Sequence, residues 1–265
     1  MWQLIKGETR PIDSLPLEDR GFLLGDGVFE TLRVEAGIIR NSALHARSLQ
    51  EACAAFSLCP PNWSEIRSAI GDLTKGQSRA IAKLIVTRGS GGRGLAPIRH
   101  QKEGVFLEVS NFPKRLDSVR LASVDIHRSA TSLGSRFKTL SYADNLAARR
   151  HAIAQGGDFG LLQTESGFLS GCDCANLFWS VSDRVLTPSD RCGIRKGIMR
   201  ERVIDWLQKT GKDVEFVESD ASALVNADAV WITNALMGAV PVSAVDDQVF
   251  ATDQALLKDI QVASL

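Results

Sequence analysis

The sequence predicts an α+β fold made of two α/β halves. Its 265 residues correspond to about 1.8 domains of ~150 residues each. Strand-like and helix-like patterns alternate on both sides of a connector, Asn111-Phe112-Pro113-Lys114. The division expected is a smaller amino-terminal domain over 1–112, a connecting loop over 113–120 and a larger carboxy-terminal domain over 121–265.

Residues 28–35, VFETLRVE, alternate apolar and polar side chains as a half-buried strand does, and Gly37 marks a turn before a second short strand, IIR. From Leu44 to Leu58 the apolar residues Leu44, Leu49, Ala52, Cys53 and Phe56 recur at mostly helical spacing, and Pro60-Pro61 stops the helix. A second helix is predicted over Ser64 to Leu73 with Ser64 as its cap. AIAKLIVTRG (80–89) and GVFLEVSNF (104–112) read as strands by their β-branched content. In the second half VRLASVDIHR is a strand and Ser141 to Gln155 a helix. FGLLQTE, FLSGCDCANLFWSV and RVLTP are short strands, Gly197 to Thr210 is a helix closed by Gly211, and ADAVWITNA (227–235) is a buried strand leading into a loop.

The chain carries 31 basic and 31 acidic residues with no basic block, so it lacks the electrostatic footprint of a nucleic-acid partner. No apolar run approaches the ~18 residues a membrane span needs, and MWQLIKGETRPID lacks the apolar core of a signal peptide. A cytoplasmic protein with a small-molecule substrate is expected. Five cysteines, an odd number, argue against a disulfide framework, and four scattered histidines give no metal-ligand spacing. Gly89-Ser90-Gly91-Gly92-Arg93-Gly94 satisfies G-x-G-x-x-G, but Leu95-Ala96-Pro97-Ile98 follows it where a dinucleotide loop must open a helix, so it reads as a bend.

Lys138, in SRFKTLSYADNLAARR, lies between a strand end and a helix among Phe137, Leu140 and Tyr142. Apolar surroundings disfavour the ammonium form, and a free amine attacks carbonyls. Six segments in order strengthen a catalytic reading of this lysine: DRGFLLGDGVFETLRVEAG, TRGSGGRG, FKTLSYADNLAA, SGFLSGCDCANLFW, RKGIMRERV and WITNALMGAVPV. Together they resemble the class IV, or fold-type IV, pyridoxal-phosphate enzymes. That family comprises D-amino-acid and branched-chain aminotransferases and aminodeoxychorismate lyases.

The resemblance implies a small and a larger α/β domain, pyridoxal 5'-phosphate as cofactor, and a homodimer. Lys138 matches the lysine that forms the Schiff base and moves the proton at Cα. Tyr142 matches a tyrosine bonded to the cofactor's phenolic oxygen. The amides of Ile198 and Met199, at a helix start, match the phosphate cradle, and Thr233 and Asn234 match its second contact.

Two positions depart from the family pattern. In His45-Ala46-Arg47-Ser48-Leu49 the slot of the phosphate arginine falls on Ser48, with Arg47 one residue early and turned by about 100° on a helix. Losing that charge-assisted contact costs ~1.5–3 kcal/mol of cofactor affinity. Gly171 stands where relatives place a glutamate against the pyridine nitrogen, a carboxylate that deepens the electron sink. Asp173, two residues on, replaces it only if the strand bends.

For the activity, the carboxylate trap of D-amino-acid aminotransferases keeps Arg93 but has Leu95 for its histidine and Phe29 for its tyrosine. RGSGGRG, CANLFW and the loop NALMGAVPV, with Leu236 on the substrate side, resemble the aminodeoxychorismate lyases most. Thr139-Leu140-Ser141-Tyr142 resembles an aminotransferase. The resemblance therefore implies a lyase that releases pyruvate to give 4-aminobenzoate for folate. The alternatives are a class IV aminotransferase of branched-chain or D-amino-acid type, and a diverged member with weak cofactor binding or no catalysis.

Overall fold

The computed structural model describes residues 1–92, 94–96 and 102–264, and the chain divides into two compact units. The first takes in Met1–Pro113 together with Phe137–Ser141; the second takes in Lys114–Arg136 and Tyr142–Leu265. The first strand of the second unit begins at Val119, within the segment 113–120.

The first unit opens with a hairpin, β1 (Trp2–Ile5) and β2 (Glu8–Pro11), followed by the short helix α1 (Arg20–Leu24). Next come β3 (Gly27–Glu35), β4 (Ile38–Ile39), the helices α2 (Ser42–Ala55) and α3 (Trp63–Leu73), and the strands β5 (Arg79–Thr87) and β6 (Gly104–Asn111). Six strands form one antiparallel sheet in the order β2-β1-β6-β5-β3-β4. Val28, Leu32 and Val34 of β3 and Ala80, Ala82, Leu84 and Val86 of β5 meet Leu49, Cys53, Ile66 and Ile70 from the two helices in one core. The cap of α3 is Asn62 rather than Ser64, two residues earlier than expected: its Oδ1 accepts from the Ser64 amide at 3.0 Å.

The second unit runs through β7 (Val119–Arg128), α4 (Leu133–Arg136) and α5 (Ala143–Ala154). It continues with β8 (Phe159–Thr164), β9 (Leu169–Cys172), β10 (Asn176–Val181), β11 (Arg184–Pro188) and α6 (Ile198–Lys209). It ends with β12 (Val214–Val217), β13 (Ala229–Asn234), β14 (Gly238–Val245), β15 (Gln248–Val249) and α7 (Ala255–Ala263). The sheet order is β12-β11-β10-β13-β14-β7-β8-β9, with β15 on β14. Parallel β7 and β8 are joined through α5, whose Ala148 and Ala152 pack on Ala122, Val124 and Leu162. On another face Met199, Val203 and Leu207 of α6 pack with Phe178 and Trp231, which are cross-strand partners with rings stacked 5.6 Å apart.

Within the first unit a buried ionic network ties α1 and the end of β5 to the glycine-rich bend. Asp26 accepts from Arg20 Nε at 3.0 Å and from Arg88 Nε at 2.8 Å, and Arg20 reaches on to the carbonyls of Gly94 and Leu95 at 2.9 and 3.0 Å. Asp19 caps α1 and accepts from Thr87 Oγ1 at 2.8 Å. Burial alone would raise the Asp26 carboxyl, but hydrogen bonds and charge from Arg88 and Arg20 outweigh it and hold the pKa below the ordinary 3.8. The stability this carboxylate contributes is therefore present above pH 3.8 and is lost as pH falls through the lower folded value. Asp26→Asn is expected to lower the unfolding free energy by ~3 kcal/mol at pH 7 in urea titrations, leaving the buried Arg20 and half-buried Arg88 guanidiniums without their anion. The difference from wild type should shrink in acid; equal stability at pH 7 would contradict the role given to the network.

Candidate active site

Lys138 belongs to the short segment that joins the first unit beside β3. The Phe29 amide donates to the Lys138 carbonyl at 2.8 Å, the Leu140 amide donates to the Gly27 carbonyl at 3.0 Å, and Thr139 bridges Val28. The backbone of the lysine is thereby fixed to a buried strand. Its Nζ stands 4.4 Å from the centroid of the Phe29 ring, over which Lys83 Nζ also lies at 5.2 Å. Phe29, expected on the substrate side, is thus a nearly buried aromatic floor for the lysine.

One turn along α2, Ser48 is occupied by a partner that sequence reasoning missed. Glu30, buried on β3, accepts from Ser48 Oγ at 2.7 Å and pairs with His45 Nδ1 at 2.9 Å. The slot of the phosphate arginine therefore serves a carboxylate. Arg47 lies on the exposed side of the helix, 4.0 Å from Glu51. Arg93 falls outside the described residues, and Leu95 beyond it is 85% exposed.

In the second unit Asn176 of β10 lies opposite Thr233 of β13 in antiparallel register. Gly197, the N-cap residue of α6, approaches Asn176 so closely that a Cβ would fall 2.0 Å from its Oδ1. Asn176 Nδ2 in turn holds the Arg195 carbonyl at 2.8 Å. Gly197 offers no side-chain cap, so the amides of Ile198 and Met199 keep the donor character of a helix start. Thr233 is fully buried, and its Oγ1 has no hydrogen-bond partner among the described residues. A buried hydroxyl left this way costs free energy unless a ligand completes it. Asn234 accepts the amides of Leu236 and Met237 at 3.0 and 2.9 Å and so shapes the turn that carries half-buried Leu236.

Gly171 has φ +134, and a Cβ there would lie 3.0 Å from the Ala175 carbonyl oxygen, so the backbone as well as the side chain differs from a glutamate-bearing strand. The strand does bend, with a register shift opposite β8 and a tight turn over Cys172 to Ala175. The bend does not free Asp173. Its oxygens accept from Arg149 at 2.8 and 2.6 Å and from the Gly160 amide at 2.8 Å, while Asn145 holds its carbonyl. The Asp173 hydrogen bond is the largest influence on Arg149, whose pKa is raised. Tyr142, at the N-cap position of α5, is half-buried, and burial raises its phenol pKa against the opposing pull of Arg195 and Arg128. Arg195 opens the segment RKGIMRERV and Arg128 ends VRLASVDIHR, but nothing in the sequence links either of them to Tyr142.

Comparison with known proteins places the chain in a family. The family model for amino-transferase class IV matches residues 27–245. The aminodeoxychorismate lyase of Vibrio harveyi is 28% identical over 243 residues, 89% of either chain. The D-alanine aminotransferase of Bacillus licheniformis is 25% identical over 264 residues, 94% of this chain and 90% of that one. Among solved structures, the 4-amino-4-deoxychorismate lyase of Pseudomonas aeruginosa superposes with a TM-score of 0.87 at 28% identity, covering 98% of this chain and 97% of the other. The chain belongs to the class IV aminotransferase family and is a pyridoxal-phosphate-dependent enzyme of its two-domain α+β fold.

Proposed function

We propose that the chain is an aminodeoxychorismate lyase that releases pyruvate and leaves 4-aminobenzoate, serving folate biosynthesis as a cytoplasmic homodimer. Likeness to the lyases of Vibrio harveyi and Pseudomonas aeruginosa supports the reading. The observation that carries it is Gly171 in the slot of the pyridine-nitrogen carboxylate, with Asp173 bound to Arg149 and Gly160. Without that carboxylate the electron sink is shallower. Formation of an aromatic ring supplies driving force to the lyase reaction that transamination lacks.

The residues present fit the phosphate of the cofactor: a Thr233 hydroxyl with no partner among the described residues and a helix start without a side-chain cap suit an anion. When bound, pyridoxal phosphate supplies the electron sink that acidifies the hydrogen on the amine-bearing carbon. Ile198, Met199 and Thr233 would hold the phosphate, Asn234 fixes the turn around Leu236, and the Tyr142 hydroxyl would bond the phenolic oxygen. Lys138 would hold the aldehyde, and its freed amine would accept at Nζ the proton from the amine-bearing carbon. The ring of Phe29 under Nζ steadies the ammonium after that transfer.

A class IV aminotransferase is the second reading, favoured by Tyr142 four residues after Lys138. Its D-amino-acid form loses support because Phe29 underlies the lysine and Leu95 is exposed, so neither supplies a donor to a carboxylate.

The homodimer rests on an apolar surface of the first unit. Leu17, Phe22 and Leu23 are 73%, 65% and 58% exposed, and Leu17 and Phe22 line a groove of about 380 Å³ with Met1, Ile12, Leu15 and Pro16. Light scattering should give a dimer for wild type and a monomer for Phe22→Glu; a monomeric wild type or a dimeric variant would contradict the assignment.

The activity is tested by adding pyridoxal phosphate, recording the near-visible band of the lysine-bound cofactor, and measuring pyruvate from aminodeoxychorismate. Wild type should release pyruvate without passing its amino group to a keto acid, and Lys138→Ala should lose the band and at least ~10⁴-fold in rate. Amino transfer without pyruvate would select the aminotransferase, and a band unchanged in Lys138→Ala would remove both readings.

A further inference from the structure

Strands β11 and β12 pair in parallel, from Val185 opposite Val214 to Pro188 opposite Val217, and the crossover between them is α6. In such a unit the carboxyl ends of the strands and the amino end of the crossover helix open on the same side, and α/β sheets take ligands there. A cavity of about 570 Å³ lies at that end of this unit. It is lined by Ser189 after β11, by Gly197, Arg200 and Ile204 along the start of α6, and by Phe216 on β12. Strand β12 is the edge of its sheet, and Phe216 is 51% exposed. Thr233, Ile198 and Met199, the proposed phosphate contacts, do not line this cavity.

Arg200 is 6% exposed. Its Nε donates to Thr187 Oγ1 at 3.3 Å and its Nη2 to the Pro188 carbonyl at 2.9 Å, which fixes the guanidinium at the end of β11. Nη1 has no hydrogen-bond partner among the described residues, and no carboxylate among them lies within 4.0 Å of the guanidinium. Nη1 is not sealed from solvent, so its N–H groups are left to the cavity that Arg200 lines. The Phe216 ring centroid lies 5.2 Å from Cζ. Burial pushes the pKa of Arg200 down, with the charge of Asp190 opposing. A buried guanidinium without an anion is costly, and a bound anion relieves that cost.

The charges on the rim close on one another. Lys196 Nζ lies 2.7 Å from Asp190, and Arg191 lies 3.7 Å from Glu218. With Glu201 also on the lining, three carboxylates stand around one unmatched buried cation. Their field disfavours a dianion such as phosphate and tolerates a monoanion. Ile204 and the exposed part of Phe216 offer apolar surface to the body of a ligand, and the volume is that of a small-molecule pocket.

We propose that this cavity binds a small aromatic monocarboxylate, whose carboxylate accepts from Arg200 Nη1 and whose ring lies against Phe216 and Ile204. The site is built from the second unit alone and does not depend on the lyase reading.

The test is calorimetric titration of benzoate into the cofactor-loaded full chain, with inorganic phosphate as the comparison anion. Wild type should bind benzoate with a Kd below about 10 mM and phosphate at least about tenfold more weakly. Arg200→Gln and Phe216→Ala should each weaken benzoate binding about tenfold, the loss of one charge-assisted or one ring contact, and leave the near-visible band of the lysine-bound cofactor unchanged. Phe216→Trp keeps a ring and should stay within about threefold of wild type. Phe216 is exposed on an edge strand, so the pair Phe216→Ala and Phe216→Trp decides the matter even where Arg200→Gln fails to fold. Benzoate held elsewhere on the chain is indifferent to these variants. No binding by wild type up to about 10 mM, benzoate affinity unchanged in either folded variant that removes a contact, or phosphate bound more tightly than benzoate would each overturn the proposal.

Discussion

The antiparallel register between β10 and β13 is the constraint on which the chemistry of the second unit depends. It sets Asn176 opposite Thr233 and Phe178 opposite Trp231, and the stacked rings pin it. A slip of one residue would turn Thr233 to the opposite face of the sheet. The same register presents Asn176 to Gly197, where only a residue without Cβ allows the approach, and this contact positions the start of α6. A buried hydroxyl and a helix start without a side-chain cap both depend on one strand pairing.

A chain of zero net charge distributes its charges in closed groups. Asp26 is shared by Arg20 and Arg88, Asp173 is closed by Arg149, and Glu30 takes the hydroxyl of Ser48 and the ring of His45. These groups explain the two departures from the family pattern. The helix that elsewhere carries a phosphate cation here completes a buried carboxylate, and the acidic residue nearest Gly171 is committed to an arginine.

Much of the fold was legible because its elements carry one dominant pattern. The alternation over 28–35 marks β3, although the strand is buried on both faces rather than half-buried, Glu30 and Arg33 included, and α2, α5 and α6 lie close to the predicted helices. The hairpin of β1 and β2 was not, since ETRP has no buried side chain to give it a periodicity. β14 follows β13 after a three-residue turn and contains Pro241, which read as a loop. The proline is tolerated because β7 joins that edge only from Val242 onward. Among the proposed cofactor contacts, Lys138, Thr233 and the start of α6 were named from ordered motifs. The part played by Glu30 was not, because it meets Ser48 and His45 only in the folded chain. The reach of Asp173 needed the course of a bent strand, which alternation alone does not encode.

The claim that the β10–β13 register builds an anion site is tested most directly at Thr233, by titrating pyridoxal phosphate into wild type and Thr233→Val while following thermal unfolding of both cofactor-free proteins. Removing a buried, unpartnered hydroxyl should leave the cofactor-free protein at least as stable as wild type and weaken cofactor binding about tenfold. Unchanged cofactor affinity would contradict the assignment of Thr233 and the α6 start to the phosphate.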